Sequence, residues 1–560
     1  MKKTGLLHIG FVAILALFTA CSNDSDGEKD VLEPVEFTVN FADYNAEQEL
    51  GVTRSGKQSE EFEERIVDLG NNVLAQVTLQ RDTTKASVQA ITRGIADDTY
   101  TMLAYDHDTH AFKGATTGKV ISNKFVATSS KLRLAAGKYD FVLFNSKVSR
   151  NGDRLIIPRS NATTALIGRT TQEIKAAGAK SYVAFNLKRV GARILLHLTG
   201  YTPFENVKAA VMPVNGTAVP ESSVYDAATG TLSAGEGETF AESVTYKESK
   251  NTYYGPYEAY SQDYAQMLAF TDVSKLKLVF TGGSMYGEKL ANVQLPFKPA
   301  LPLTIEQNGS YILKVKLFYS FLYLMSDGTT GFIDETTYGG GTKTPIAVVL
   351  SQSKRMGIAL KFAKVSSDAW CHYKYKNYYA NTYTVEVEKG QTVADAIWGS
   401  LAKSGIDETW DANYSTSKVQ GNKVKGLNEE FYAFYAAAHY DPGVPYSGAN
   451  PLKWYLPSAS DWKWVLSALG KGKRTNKNEY EDISFYEWNG LLASSAFTQV
   501  GEAKIAGTRS WTSTEIDPIV PIAYNGNKYA AVSIEVRESS LVWGRTFIDW
   551  GLGTLPFVKY

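Results

Sequence analysis

Two is the dominant period of the apolar pattern over residues 34–317, and this limits the fold more than any other feature. Val35-Glu-Phe37-Thr-Val39-Asn-Phe41 alternates without error. A strand with one buried face is the regular element that has this period. Val73–Leu79, Tyr139–Phe144, Arg193–Leu198, Leu276–Phe280 and Tyr311–Leu317 also read as strands. Asp106-His-Asp108, Asn151-Gly152, Gly282-Gly283 and Asn308-Gly309 supply turn signals between them. Helical spacing is sparse before residue 390, so two all-β sandwiches are expected over residues 34–317. Gly137-Lys-Tyr139 and Gly309-Ser-Tyr311 each launch a strand, an internal echo that supports two units. The small residues of Ala176–Ser181 mark the join, giving expected units 34–178 and 179–317.

From Phe318 the pattern changes. Thr392–Trp398, Asn428–His439 and Ser460–Leu469 have helical spacing, the last with Ser460 as expected N-cap and Gly470 as stop. Short strands return at Trp511, at Tyr529–Val536 and at Phe557–Tyr560. Residues 318–560 are therefore expected to form a third, α+β unit.

The N-terminus predicts export. Lys2 and Lys3 precede an apolar run, Leu6–Phe18, which is shorter than the roughly 20 residues a bilayer span needs. Thr19, Ala20 and Cys21 follow in an order that resembles a lipobox, with Phe18 where Leu is usual. That resemblance implies a signal peptide over 1–20, acylation of Cys21 and an outer-membrane anchor. Two or three acyl chains hold a protein stably where one does not. The acidic tether 21–33 resembles the surface-export signal of Bacteroidales lipoproteins. With Cys21 consumed by lipid, Cys371 has no intrachain partner, so no disulfide framework is expected. Lys plus Arg and Asp plus Glu both total 58, and the lack of a basic stretch argues against nucleic acid as a partner.

Residues 34–317 resemble the fimbrillin family, the subunits of Bacteroidales type V pili. The resemblance is carried by the lipoprotein start, Asp98–Tyr105, Ala136–Phe141, Gly191-Ala-Arg193 and Asn308-Gly-Ser-Tyr311, in that order. The third unit looks like the C-type-lectin-like module found on surface proteins. Its marks are Leu324–Thr329, Trp454-Tyr-Leu-Pro-Ser458, Trp511-Thr-Ser-Thr-Glu515 and a terminal Phe557-Val558. Together the resemblances imply a mainly β chain: two tandem transthyretin-like β-sandwiches followed by a C-type-lectin-like domain.

The resemblance also implies assembly by donor-strand exchange. Val35, Phe37, Val39 and Phe41 would form the displaced strand, released by cleavage between Arg54 and Ser55 in the polar, Gly-bearing segment Gly51–Gly56. Arg65 and Arg81 are competing cleavage sites beside apolar residues. A third unit directly after the second sandwich leaves no donor strand there, which implies a pilus-tip subunit that accepts other fimbrillin subunits and adheres through its head. The alternative is an anchored, non-polymerising glycan-binding lipoprotein. No enzymatic role, metal or other cofactor is expected. His107 and His110 read as a hairpin tip, His197 as a packed strand residue, and Cys371-His372 would point to opposite faces of a strand. The module's calcium-binding Glu-Pro-Asn motif is absent, and Trp454, Trp511 and Glu515 read as structural. Tyr373, Tyr375, Tyr378 and Tyr379 are the candidate contacts for a host or bacterial surface ligand, a glycan among them.

Overall fold

The computed structural model describes residues 35–46, 60–82, 98–129, 132–175, 180–247, 250–251, 256–299, 301–388, 391, 393–399, 404–472, 483–516 and 529–560. The chain is mainly β, as its alternation predicts.

Seven strands close into a barrel. In order around it they are Glu36–Phe41, Tyr182–Arg189, Leu166–Ile174, Gly137–Asn145, Thr99–Asp106, Phe112–Ile121 and Lys124–Ala127. The strand Gly137–Asn145 is apolar on both faces, and the barrel shows why. Phe141 and Leu143 enter the interior with Tyr100, Met102, Val183 and Phe185. Val142 and Phe144 face outward with Leu103, Tyr105 and Ile167, against Leu155, Ile157 and Tyr225. Those covering residues belong to a four-stranded sheet of Ser149–Asn151, Arg154–Pro158, Ser222–Asp226 and Leu232–Ala234. Strands buried on both faces read as apolar runs instead of alternating.

The second unit packs two sheets face to face. One holds Ala192–Gly200 at its centre, parallel to Ser310–Tyr319, with Val73–Arg81 antiparallel on the far side and Glu60–Asp68 at the edge. The other is built on Glu205–Pro213 and Leu276–Met285. Gly282-Gly283, expected as a turn, lies inside the latter strand beside a register shift at Glu205/Lys208/Ala209. Gly283 has φ +93°, and a Cβ there would stand 2.6 Å from the Val207 Cα, so this position of the bulge takes only glycine.

Sheet membership corrects the expected boundary at 178/179. Tyr182–Arg189 stays in the barrel, and the chain leaves it only at Val190-Gly191. Strands Glu60–Asp68 and Val73–Arg81, expected in the first unit, pair in the second. Gly191 is needed at the crossing because a Cβ would lie 2.5 Å from the Ala162 Cβ.

The third unit holds two further sheets and short helices, among them Val393–Gly399, Tyr432–Ala438 and Trp462–Ala468 at three places of expected helical spacing. The N-cap of Trp462–Ala468 is Asp461, not Ser460, and its carboxylate accepts from the Gly405 and Ser458 backbone N–H groups instead of capping the helix. Strand Ser310–Tyr319 runs past the expected end at 317 and leads into Tyr323–Met325 of the third unit. One continuous apolar core joins the second and third units. At their seam the buried Gln499 amide accepts from Tyr319 N–H (3.2 Å) and donates to Tyr319 C=O (3.0 Å) and to the Tyr323 hydroxyl (2.8 Å).

Gln499→Ala would strand the Tyr319 N–H, whereas Tyr319 C=O still accepts from Phe321 N–H (2.8 Å) and the Tyr323 hydroxyl still donates to Ala496 C=O (2.8 Å). An unpaired buried donor costs about 1–3 kcal/mol, so urea denaturation should show a loss of about 2 kcal/mol in the transition that the second and third units share.

Candidate functional site

The first strand closes the barrel and is held unequally on its two sides. Toward Tyr182–Arg189 it makes a parallel ladder of six register positions, from Glu36↔Tyr182 to Phe41↔Leu187. Toward the four-residue strand Lys124–Ala127 it has one register position, Thr38↔Lys124, supported by Val39 N–H donating to Asn123 C=O (2.8 Å) and by a Glu36–Lys124 ion pair. Alternation sends Val39 fully into the interior, with Val35, Phe37 and Phe41 partly buried beside it. The Phe37 ring meets Phe125, Phe141 and Phe185 at centroid distances of 6.3, 5.7 and 6.4 Å. A cavity of about 270 Å³ opens where this strand begins, lined by Val35, Phe37, Phe125 and Tyr182 among others.

Past Phe41 the chain is fastened at the seam between barrel and sandwich. Ala42 C=O accepts from the Arg189 guanidinium (3.0 Å), and the Tyr44 ring lies between Arg189 and Arg193, 4.1 and 3.9 Å from their central carbons. The Asn45 amide donates to Asp82 C=O (3.0 Å) and Ser310 C=O (3.1 Å) and accepts from Ser310 N–H (3.1 Å). Asn45 has φ +59°, a left-handed conformation that Asn tolerates better than most residues. Burial raises the Tyr44 pKa against the opposing pull of both arginines. Sequence reasoning missed this fastening, although two of its parts, Gly191-Ala-Arg193 and Asn308-Gly-Ser-Tyr311, were among the marks of the family resemblance.

Cys21, Arg54 and Ser55 lie outside the described residues, as do 47–59 as a whole. The first strand connects to the rest of the described chain only through that segment.

In the third unit the four candidate tyrosines separate. Tyr373 and Tyr378 are exposed, 66% and 45%. Tyr379 is half-buried, its ring edge-on to Tyr529. Tyr375 is buried and its hydroxyl donates to Glu430 (2.7 Å), which corrects its expected role as a ligand contact. Tyr373–Tyr375 forms a 3-10 turn, which sends Tyr373 outward and Tyr375 inward. A larger cavity, about 570 Å³, lies nearby; Phe362, Glu429, Tyr432, Tyr435, His439 and Asp441 are on its wall. Its helical side is the face of Tyr432–Ala438 opposite the buried Ala433, Phe434 and Ala437, a second stripe at helical spacing.

Cys371 is buried, and its thiol pKa is pushed well up, by burial first and then by Glu515, Glu430 and Asp549. A protonated, enclosed thiol is a poor nucleophile. His372 Nδ1 accepts from Lys374 N–H (3.3 Å), capping the turn. His107 sits at the Asp106–Thr109 turn, its Nδ1 3.1 Å from the Asp140 carboxylate. His197 stacks on Tyr260 at 4.0 Å. Among the described residues no group of three or more His, Cys, Asp or Glu side chains could hold a metal. No described helix is long and apolar enough to cross a membrane.

Trp454, Trp511 and Glu515 lie in the third unit's interior. Trp511 Nε1–H donates to Asp368 C=O (2.9 Å). The Glu515 carboxylate accepts from Ala380 N–H (2.9 Å) and Asn381 N–H (2.5 Å), tying the Tyr-rich loop to the sheet. Burial raises the Glu515 pKa to about 7, against these two bonds and the attraction of Lys425.

No family model matches this chain, and no curated relative matches it. Among solved structures it is similar to a candidate cell adhesion protein from Bacteroides ovatus, at 12% identity over 51% of this chain and 92% of that one, TM-score 0.28. It is also similar to a fimbrial assembly protein from Parabacteroides distasonis, at 12% identity over 46% of this chain and 96% of that one, TM-score 0.25. The fimbrial anchor protein Mfa2 from Porphyromonas gingivalis aligns at 11% identity over 44% of this chain and 78% of that one, TM-score 0.21.

Because Glu515 binds its proton more tightly folded than unfolded, its stabilisation is complete below pH 4.5 and is lost as pH rises through about 7. The fall is about 3 kcal/mol at most, at about 1.4 kcal/mol per pKa unit. Glu515→Gln should flatten that part of the pH profile in urea unfolding, and an unchanged profile would show that the carboxyl is charged throughout.

Proposed function

We propose that this chain is an exported, lipid-anchored surface subunit that assembles by exchanging its first strand and adheres through its third unit. The carrying observation is that Glu36–Phe41 completes the barrel yet is joined to the other described elements by one segment only. A single cut in that segment severs the strand covalently while leaving the other six barrel strands in one piece. Cleavage between Arg54 and Ser55 is the proposed cut, and it also separates the chain from acylated Cys21.

The energetics suit a removable strand. Val35, Phe37, Val39 and Phe41 contribute roughly 1.5–3 kcal/mol each if fully buried, so roughly 6–12 kcal/mol gross is an upper bound. Their partial exposure places the real figure toward the lower end. Departure would bare two strand edges and an aromatic-lined groove, the arrangement that β-augmentation by another chain repairs. Other subunits of the same type are the proposed partners.

The tip position rests on how the last strands of the second and third units are paired. Ser310–Tyr319 is a central strand that continues into the third unit, and Phe557–Lys559 is paired on both sides, with Met356–Ala359 and Lys453–Tyr455. Neither can be lent to a neighbour without opening a core. The third unit is then the adhesive head, with Tyr373, Tyr378 and the nearby cavity as the surface for a host or bacterial ligand such as a glycan. Its buried thiol and proton-holding carboxyl serve the interior of a binding module, and the reading is non-enzymatic.

Protein recovered from surface polymers should begin at Ser55, and immunogold labelling should place it at polymer ends. Acylated Cys21 as the sole N-terminus would overturn the assembly reading and favour the anchored glycan-binding lipoprotein. Label repeated along the shaft would overturn the tip assignment.

A further inference from the structure

Alternation fixes which face of the first strand is buried but not where along the groove the strand sits. A slip of two residues puts Phe37 where Val39 stands and keeps every apolar side chain inward. Something other than the strand must therefore set the register, and the fastening beyond Phe41 has the right form. Four planar groups stack in sequence: Arg189, Tyr44, Arg193 and Tyr264, with Arg193 3.9 Å from the Tyr44 ring and 4.0 Å from the Tyr264 ring. The walls are fixed. Arg193 Nε–H donates to Ser310 Oγ (2.9 Å), and Ser310 Oγ–H and the Tyr264 hydroxyl both donate to the Asp82 carboxylate (3.2 Å each). Arg189, Asp82, Asn308 and Ser310 are all buried. The Asn308 amide holds Asp43 C=O (2.7 Å) just before the ring, and Asn45 bonds the Ser310 backbone just after it.

Removing Tyr44 would leave two guanidiniums facing each other across the space its ring fills, with no π face between them. Like charges brought together away from water repel strongly, and an aromatic face placed between them is attractive to both. The emptied site is therefore selective for a flat ring at one position along the groove.

Resting on the strand-exchange reading above, we propose that the Arg189–Arg193 socket is the register key of the groove. The segment that replaces residues 35–46 is then an extended stretch of another subunit, running in the same direction. It carries apolar residues at four alternate positions and an aromatic side chain three residues beyond the last of them.

The test uses the full chain with a specific protease site placed within 51–56. After cutting, a fluorescent peptide of residues 35–46 is offered, in parent form and with Tyr44→Phe, Tyr44→Ala or Tyr44→Asp. The parent and Tyr44→Phe peptides should dissociate at rates within about threefold of each other, and Tyr44→Ala roughly tenfold faster, the scale of one to two cation–π contacts. Arg193→Ala in the protein should erase that difference. Equal rates for parent and Tyr44→Ala would overturn the socket, and tighter binding of Tyr44→Asp would show that it selects a carboxylate instead. In the uncut chain, Tyr44→Ala should speed amide hydrogen exchange at Val39 and Ala42, whose N–H groups donate to Asn123 and Leu187 C=O, by roughly tenfold. Unchanged protection there overturns the socket whether or not strands exchange. If no peptide enters while this protection is lost, strand exchange fails and the socket remains only as the key for the chain's own strand.

Discussion

The parallel ladder between Glu36–Phe41 and Tyr182–Arg189 is the interaction on which the first barrel depends. Parallel partners cannot be joined by a tight turn, so this pairing brings together segments far apart in the sequence. It completes the wall around Phe141, Leu143 and Phe185, and without it those side chains would line an open trough. The other flank of the strand adds one register position and one ion pair, so most of the closure comes from a single side.

That asymmetry matters because three of the remaining barrel strands are secured on both faces. The outward faces of Thr99–Asp106, Gly137–Asn145 and Leu166–Ile174 are covered by the small sheet that carries Leu155, Ile157 and Tyr225. They are held from within and from without. The first strand has the interior contacts, but no member of it belongs to the outer core. A barrel with three strands secured on both faces, closed by a strand held mainly along one edge and tied on by one connection, opens most readily at that strand.

Much of this was legible in the sequence. Val35–Phe41, Val73–Leu79, Arg193–Leu198 and Tyr311–Leu317 alternate because each covers a core on one face. Ser460–Leu469 carries helical spacing because Trp462, Val465 and Leu466 face inward. Sheet membership was not legible. Periodicity reports that a strand is half-buried and says nothing of its partner, so the crossing of Glu60–Arg81 into the second sheet left no local trace. Gly282-Gly283 reads as a turn because turn and bulge ask the same conformational freedom of glycine. Tyr375 was misplaced because an irregular loop has no period to tell a buried side chain from an exposed one, and its burial depends on Phe431 and Glu430, far along the chain. The Tyr44 socket draws on residues 42–45, 82, 189–193, 264 and 308–310, and no reading of one stretch could assemble it.

Strand Ser310–Tyr319 is central in the second sheet, flanked by seven parallel and nine antiparallel register positions, and it continues into the third unit. A pull on that unit directed along this strand is a shearing load, in which many hydrogen bonds must yield together. Peeling would break them one at a time. The Gln499 seam at the strand's end keeps the load on the strand by holding its backbone to the neighbouring helix region. Resistance to force is set by the rate of unfolding, not by equilibrium stability. By this layout the chain withstands tension on its third unit best when the pull follows the strand axis.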